Sequence, residues 1–223
     1  MTDGDLAESG LTVLVVDDDP WTTRAIAAVL GDDPAITAVA VAHDGAEAIA
    51  AYGAERPDVV LMDLNMSPGM GGVQAIEELK RRDPDVRIIV LTTVSPGPGL
   101  ARALAAGARA VVRKTASDAE LRAVVLAVVC EDDPRLLRGL AQDIVLSGDE
   151  LPDTPAVVPR LTATEREVLI LIAQGLGYNE IAERQFVAPS TVRSQAKSLR
   201  EKLDADGLAQ LVVRALQYRY ISG

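Results

Sequence analysis

Three carboxylates and one amine are spaced along the first half of this chain so that a parallel sheet would bring them together: Asp17, Asp18, Asp63 and Lys114. Asp17 with Asp18 follows Leu11 to Val16, Asp63 follows Val59 to Met62, and Lys114 follows Ala110 to Arg113, each a short, mainly apolar block. A fourth block, Val86 to Leu91, ends in Thr92. Ligands of open α/β sheets bind outside the carboxyl ends of the strands, so these side chains are expected at one edge. Carboxylates crowded there repel one another unless a cation lies among them, and a hard, oxygen-seeking divalent ion such as Mg²⁺ suits that donor set. With the Lys114 ammonium and the Thr92 hydroxyl alongside, the cluster can receive a phosphoryl group, Asp63 acting as the carboxylate nucleophile.

The elements that must position these groups follow from the hydrophobic pattern. Strands are expected at Leu11–Val16, Ile36–Ala42, Asp58–Asp63, Val86–Leu91 and Ala110–Arg113. Helices are expected from Trp21 to Leu30 with Pro20 at the start, from Asp44 to about Ala54, from Val73 to Arg82, from Gly99 to Ala106, and from Ser117 or Asp118 to about Val129. Strands that read as unbroken apolar blocks and alternate with helices form a parallel sheet covered on both faces. With right-handed crossovers the fold class is an α/β doubly wound parallel five-stranded sheet. A charged break at 131–134 precedes an apolar pattern that reads as one extra helix to 147, and a Pro-rich, acidic stretch from Ser147 to Pro159 reads as a linker.

From Leu161 onward only helices are expected: Thr162 to Gln174, Asn179 to Arg184, Pro189 to Leu203 and Leu208 to Tyr218. Thr162 and Glu165 have the form of a capping box. The second and third of these helices have helix-turn-helix spacing. On the longer one Arg193, Lys197 and Arg200 share a face, opposite Val192, Ala196 and Leu199. Such a basic face suits phosphates and base edges of the major groove. The charge distribution agrees: residues 160–223 carry nine bases and seven acids, a balance of +2, whereas the remainder carries thirteen bases and twenty-six acids, a balance of −13. Hydrophobic residues make up 48% of the 223, enough for two modest cores, which the scarcity of aromatics leaves to Val, Leu, Ile and Ala. The single cysteine, Cys130, lies in an apolar helical run and reads as a core residue. The first ten residues lack a signal-peptide pattern and no apolar run is long enough to span a bilayer, so a cytoplasmic protein without membrane contact is expected.

Residues 11 to about 129 resemble a two-component receiver domain. The motifs that carry this are Val15-Val16-Asp17-Asp18, Asp58 to Asp63 with Asn65 two places on, Leu91-Thr92-Thr93, and Ala106-Gly107-Ala108 leading to Lys114. Leu161-Thr162, Glu165 to Leu169, Ala173 to Leu176, Glu180-Ile181-Ala182, Thr191-Val192-Arg193 and Lys202-Leu203 resemble the LuxR/NarL-type DNA-binding domain. The resemblance implies a receiver over 11–130, an extra helix and linker over 131–160, and a small all-α helix-turn-helix domain over 161–223. It implies a non-enzymatic transcriptional response regulator phosphorylated on Asp63 by a sensor histidine kinase. Mg²⁺ would be held by Asp17, Asp18, Asp63 and the Asn65 carbonyl, with Thr92 and Lys114 acting on the phosphate. Thr191, Arg193, Ser194, Lys197 and Arg200 would face DNA, and the last helix would make a homodimer through Leu211, Val212, Ala215 and Leu216.

Several positions depart from the family pattern. Val111 stands where receivers of this kind place a Tyr or Phe that switches rotamer with the threonine. The loop after Asp63 is one residue longer than the common pattern, and Ser95-Pro96-Gly97-Pro98-Gly99 replaces what is often a first helical turn. Ala188 replaces a capping Ser, Gln195 a common His, and Asp204-Ala205-Asp206 stands where basic residues often meet the DNA backbone. These departures keep a second reading open, a regulator that acts by protein–protein interaction. A third, a Mg²⁺-dependent phosphohydrolase, would require turnover on an external phosphoester.

Overall fold

The computed structural model describes residues 10–92, 99–130, 133–149, 151 and 158–222, apart from the side chain of Cys130. The expected core role of Cys130, the loop at 95–98 and most of the linker lie outside the described residues. The chain divides into two compact units, one formed by Met1–Val94 with Ala110–Glu131, the other by Ser95–Arg109 with Asp132–Gly223.

The first unit is built on five parallel strands, β1 (Leu11–Val16), β2 (Ile36–Ala42), β3 (Val59–Asp63), β4 (Ile88–Thr92) and β5 (Ala110–Arg113), in the order β2-β1-β3-β4-β5. Every residue of β3 and β4 is buried, as expected of central strands covered on both faces. Helices α1 (Pro20–Gly31), α2 (Gly45–Glu55), α3 (Gly72–Arg82) and α5 (Asp118–Cys130) belong to this unit. Their starts follow local chemistry. Asp19 caps α1 by accepting from the Trp21 amide, with Pro20 in the first turn, and Asp44 caps α2 by accepting from Glu47 N at 2.8 Å. The Glu47 carboxylate in turn accepts from the His43 amide.

Two strand starts differ from expectation. The fourth begins at Ile88 rather than Val86, because Asp83 accepts from the Asp85 amide and its carbonyl from Val86 N, a turn that occupies the preceding residues. The third begins at Val59; Asp58 instead uses its carboxylate to accept from both the amide and the hydroxyl of Thr12, pinning β3 to β1.

The second unit contains α4 (Leu100–Ala105), a 3₁₀ helix (Pro134–Leu137), α6 (Leu140–Leu146), and four helices α7 (Ala163–Ala173), α8 (Tyr178–Gln185), α9 (Pro189–Leu203) and α10 (Leu208–Gln217). The single extra helix expected over 131–147 is two short pieces. Gly139, at φ 80°, adopts a left-handed conformation that no other residue type takes as readily, and it breaks the run between them. The Thr162–Glu165 capping box at α7 is present in both directions, and Lys202 Nζ reaches the same Glu165. No described helix is long and apolar enough to cross a membrane.

Candidate functional site

Pairing register brings the chemistry-bearing residues together. Val16 lies beside Met62, Asp63 beside Leu91 and Thr92 beside Arg113, so β1, β3, β4 and β5 end at one level. The next residue of β1 is Asp17 and the next of β5 is Lys114. The Lys114 Nζ lies 2.7 Å from Asp17 Oδ2 and 2.9 Å from Asp63 Oδ2, bridging the two carboxylates. Asp17 is 0% and Asp63 3% exposed, Thr92 is buried, and Asp18 is at the surface. The Lys114 amide donates to the Thr92 carbonyl at 2.7 Å, which fixes the ends of β4 and β5 to one another.

The loops supply further ties. Asp17 Oδ1 accepts from the Asp19 amide at 3.0 Å, Asp63 Oδ1 from the Asn65 amide at 3.3 Å, and Asp18 Oδ2 from the Ser67 amide at 3.1 Å. The His43 Nδ1 lies 3.2 Å from the Asp17 carbonyl. Ser67 and His43 were not expected here from sequence, since a backbone amide and a ring nitrogen reaching from other loops leave no pattern. Gly72 has a steric role: a Cβ there would lie 1.9 Å from the Asp63 carbonyl oxygen, so the start of α3 approaches the end of β3 more closely than any side chain allows.

The electrostatics show a site with excess negative charge. Burial pushes the Asp17 carboxyl up, against the opposing pull of the Lys114 ammonium and the Asp19 amide. Burial would lower Lys114, but its hydrogen bonds to Asp17 and Asp63 outweigh that and hold its ammonium above the usual value. One oxygen from each of Asp17, Asp18 and Asp63 lies within 4.8 Å of the others, with one lysine among them. Three hard oxygen donors against a single ammonium fit a divalent cation that keeps part of its water shell.

In the second unit α8 ends at Gln185 and is followed by Phe186, whose φ of 55° turns the chain toward α9. Val192, Ala196, Leu199 and Leu203 are buried, and on the other side Thr191, Arg193, Ser194 and Lys197 are exposed. Arg200 is only half-exposed and donates to the Asp206 carbonyl at 3.4 Å, so it is drawn toward the end of α9. The guanidinium of Arg193 stacks 5.3 Å from the Tyr178 ring centroid, a positioning contact that its sequence separation had hidden. The cap left open by Ala188 is not replaced: no side chain caps α9. The α10 residues Leu211, Val212, Ala215 and Leu216 are all buried within the unit.

A doubly wound sheet whose carboxyl edge gathers three aspartates, a threonine and a lysine, in a chain that continues into a helix-turn-helix, defines a receiver joined to a DNA-binding module. The family model of response regulator receiver domains matches residues 13–126, and that of bacterial regulatory proteins of the luxR family matches 159–215. The chain belongs to the LuxR-family response regulators and has the architecture of a transcriptional response regulator. It is 34% identical over 217 residues to the methanol utilization control regulatory protein MoxX of Paracoccus denitrificans, covering 93% of this chain and 92% of that one. It is 30% identical over 215 residues to the oxygen regulatory protein NreC of Staphylococcus carnosus, covering 95% and 99%. Among solved structures it resembles RcsB of Salmonella enterica serovar Typhimurium bound to promoter rprA with a beryllofluoride phosphomimetic. That match has 27% identity and a TM-score of 0.52, over 93% of this chain and 99% of that one.

Proposed function

We propose that Asp63 accepts a phosphoryl group from a sensor histidine kinase and that the phosphorylated chain binds DNA as a homodimer through α9. The observation that carries the first part is the Lys114 ammonium held between Asp17 and Asp63, with a third carboxylate, Asp18, beside them. An Asp63 oxygen attacks the phosphorus of a phosphohistidine; the new O–P bond forms as the P–N bond breaks, and the imidazole leaves with its electron pair and takes up a proton. Lys114 then pairs with one phosphoryl oxygen, and the buried Thr92 hydroxyl donates to another. Asp17, Asp18, Asp63 and the Asn65 carbonyl would hold Mg²⁺, which supplies positive charge against the transferring group. The exposed Thr191, Arg193, Ser194 and Lys197 present the donors a major groove requires, with Arg200 at the margin. RcsB, which is similar over nearly the whole chain, has been solved on a promoter with a phosphomimetic, and this supports promoter binding as the role of the present chain.

Labelling with radioactive phosphoramidate and Mg²⁺ tests the acceptor. One label per chain is expected, lost in Asp63→Asn; a label that persists in that variant, or continuous turnover of an external phosphoester, overturns the assignment. Selection from a randomised duplex pool with beryllofluoride tests the second half. Salt-sensitive, sequence-selective binding is expected. Its absence favours the protein-interaction reading, which Val111 and the acidic Asp204 and Asp206 otherwise support.

A further inference from the structure

The second unit contains a cleft that neither the acceptor site nor the DNA-facing helix uses. It has a volume of about 710 Å³ and lies between the first turn of α6, the end of α7 and the segment that follows α10. Small-molecule sites usually measure about 300 to 1,000 Å³ and are apolar with a few polar groups. The apolar walls here are Ala141 from α6, Ile170 and Ala173 from α7, and Ile221. Tyr220 forms a further wall and is fixed by two contacts: its hydroxyl donates to the Pro159 carbonyl, and the Arg166 guanidinium lies 5.7 Å from its ring centroid. That wall is set before any ligand arrives.

The polar groups at the cleft are few and uncommitted. Gln142, Gln174 and Arg219 line it, and none of these three side chains has a hydrogen bond or ion pair to a described residue. No carboxylate is among the described lining residues, in a chain whose net charge is −11. Arg219 is also strained. Its φ of 58° falls in the left-handed region, just after the cap of α10, where glycine is favoured. An arginine is held there at a cost in backbone energy, and no side-chain contact within the described chain offsets that cost.

We propose that this cleft binds a small organic carboxylate with an apolar body. The carboxylate pairs with the Arg219 guanidinium through parallel N–H···O bonds and accepts from the Gln142 or Gln174 amide. The apolar body lies on Ala141, Ile170, Ala173 and Tyr220. A neutral analogue of the same shape keeps the apolar contacts and loses the charge pair, so the headgroup decides selectivity. The cleft shares no residue with the acceptor cluster or with the exposed face of α9, and the proposal therefore stands apart from the phosphorylation and DNA-binding readings.

Isothermal titration of the full chain with decanoate, 4-phenylbutyrate and indole-3-butyrate tests it, the matching primary alcohols serving as neutral controls. At least one acid is expected to bind once per chain with a dissociation constant of about 10 to 100 μM, and its alcohol at least about tenfold more weakly. Arg219→Gln should bring the acid down to the affinity of its alcohol and leave the alcohol unchanged, and Arg219→Lys should restore part of the difference. Arg219→Gly separates binding from folding. It should lose the acid as Arg219→Gln does, yet melt no more than about 2 °C below the parent, because relief of the left-handed backbone offsets the greater freedom of glycine in the unfolded chain. Ala141→Trp, which fills the cleft, should block acid and alcohol alike, while phosphoramidate labelling of Asp63 stays unchanged in every variant. The assignment is overturned if none of the three acids binds more tightly than about 1 mM, if acid and alcohol bind equally, or if Arg219→Gln holds the acid as tightly as the parent.

Discussion

The close approach of Gly72 to the end of β3 makes a single methyl group a sharp probe of the acceptor site. In Gly72→Ala the added Cβ would lie 1.9 Å from the Asp63 carbonyl oxygen and 2.8 Å from both the Asp63 carbonyl carbon and Leu64 Cα. All three are backbone atoms, so no rotamer change relieves the clash; α3 must move away from β3 or Asp63 must shift. Overpacking of this kind costs about 1 to 3 kcal/mol where side chains can yield, and the backbone setting places this case near about 3. For a domain of this size that lowers the melting temperature by roughly 12 °C. The chemical effect is expected to be larger than the thermal one, since a displacement of about 1 Å at a reacting group can slow a reaction about 100-fold. The assay pairs thermal unfolding followed by circular dichroism with the rate of phosphoramidate labelling at Asp63, measured well below the transition. Trp21, the only tryptophan and 75% exposed just after the Asp17–Asp19 turn, gives an independent fluorescence readout of Mg²⁺ and beryllofluoride binding. A variant that melts within about 2 °C of the parent, a change well under 1 kcal/mol for a domain of this size, and labels at the parent rate would refute this account of how β3 and α3 fix Asp63.

Tyr52 donates to Asp83 Oδ2 at 2.7 Å, and burial together with that carboxylate pushes its phenol up to about 12. The folded state thus holds this proton more tightly than the unfolded chain, so the contribution is complete below pH 10 and is lost as pH rises toward about 12. Ultraviolet titration should find one late-ionising tyrosine that disappears in Tyr52→Phe, and urea unfolding below pH 10 should show that variant weaker by about 1 kcal/mol; a parent and variant with the same alkaline profile would count against it. Thr162→Ala removes one half of the α7 capping box and should destabilise the second unit by about 1 kcal/mol in urea melts, with the first unit unaffected. Lys197→Ala should weaken binding to selected and random duplexes alike and flatten the slope of log affinity against log salt by about 0.9. An unchanged slope would remove Lys197 from the phosphate contacts.

Much of this architecture was written in local patterns. The bounds of β1, β2, β5 and α9 follow from apolar blocks closed by Asp, Pro or a change of period, and the caps at Asp44 and Thr162 follow from side chains that reach only three residues. The meeting of Asp17, Asp63 and Lys114 was legible because parallel strands in register must end side by side. Long-range ties were not legible. Nothing near Asp149 marks it as the cap of a helix some 50 residues earlier, and nothing near Gln210 marks Ala105 as its acceptor across 105 positions. The grouping of α4 with the second unit was hidden for the same reason: its Leu and Ala pattern fits any apolar surface, and only the tertiary partner decides which. Arg200 shows the converse, since helical spacing placed it with Arg193 and Lys197 while the Asp206 carbonyl drew it aside.

The replacement of the usual aromatic by Val111 bears on how a charge at Asp63 could act at a distance. A valine is β-branched and stiff at χ1, so it cannot trade an inward for an outward rotamer as a large ring does. Val111 is also paired to Val90 within the sheet, which leaves its backbone little freedom. The groups proposed to close on the phosphate are Thr92 and Lys114, and the bond from the Lys114 amide to the Thr92 carbonyl couples their backbones. Movement of one toward a phosphate therefore pulls on the end of β4 itself. On the proposed readings, displacement of the main chain at Thr92 takes the place of the swing of an aromatic side chain.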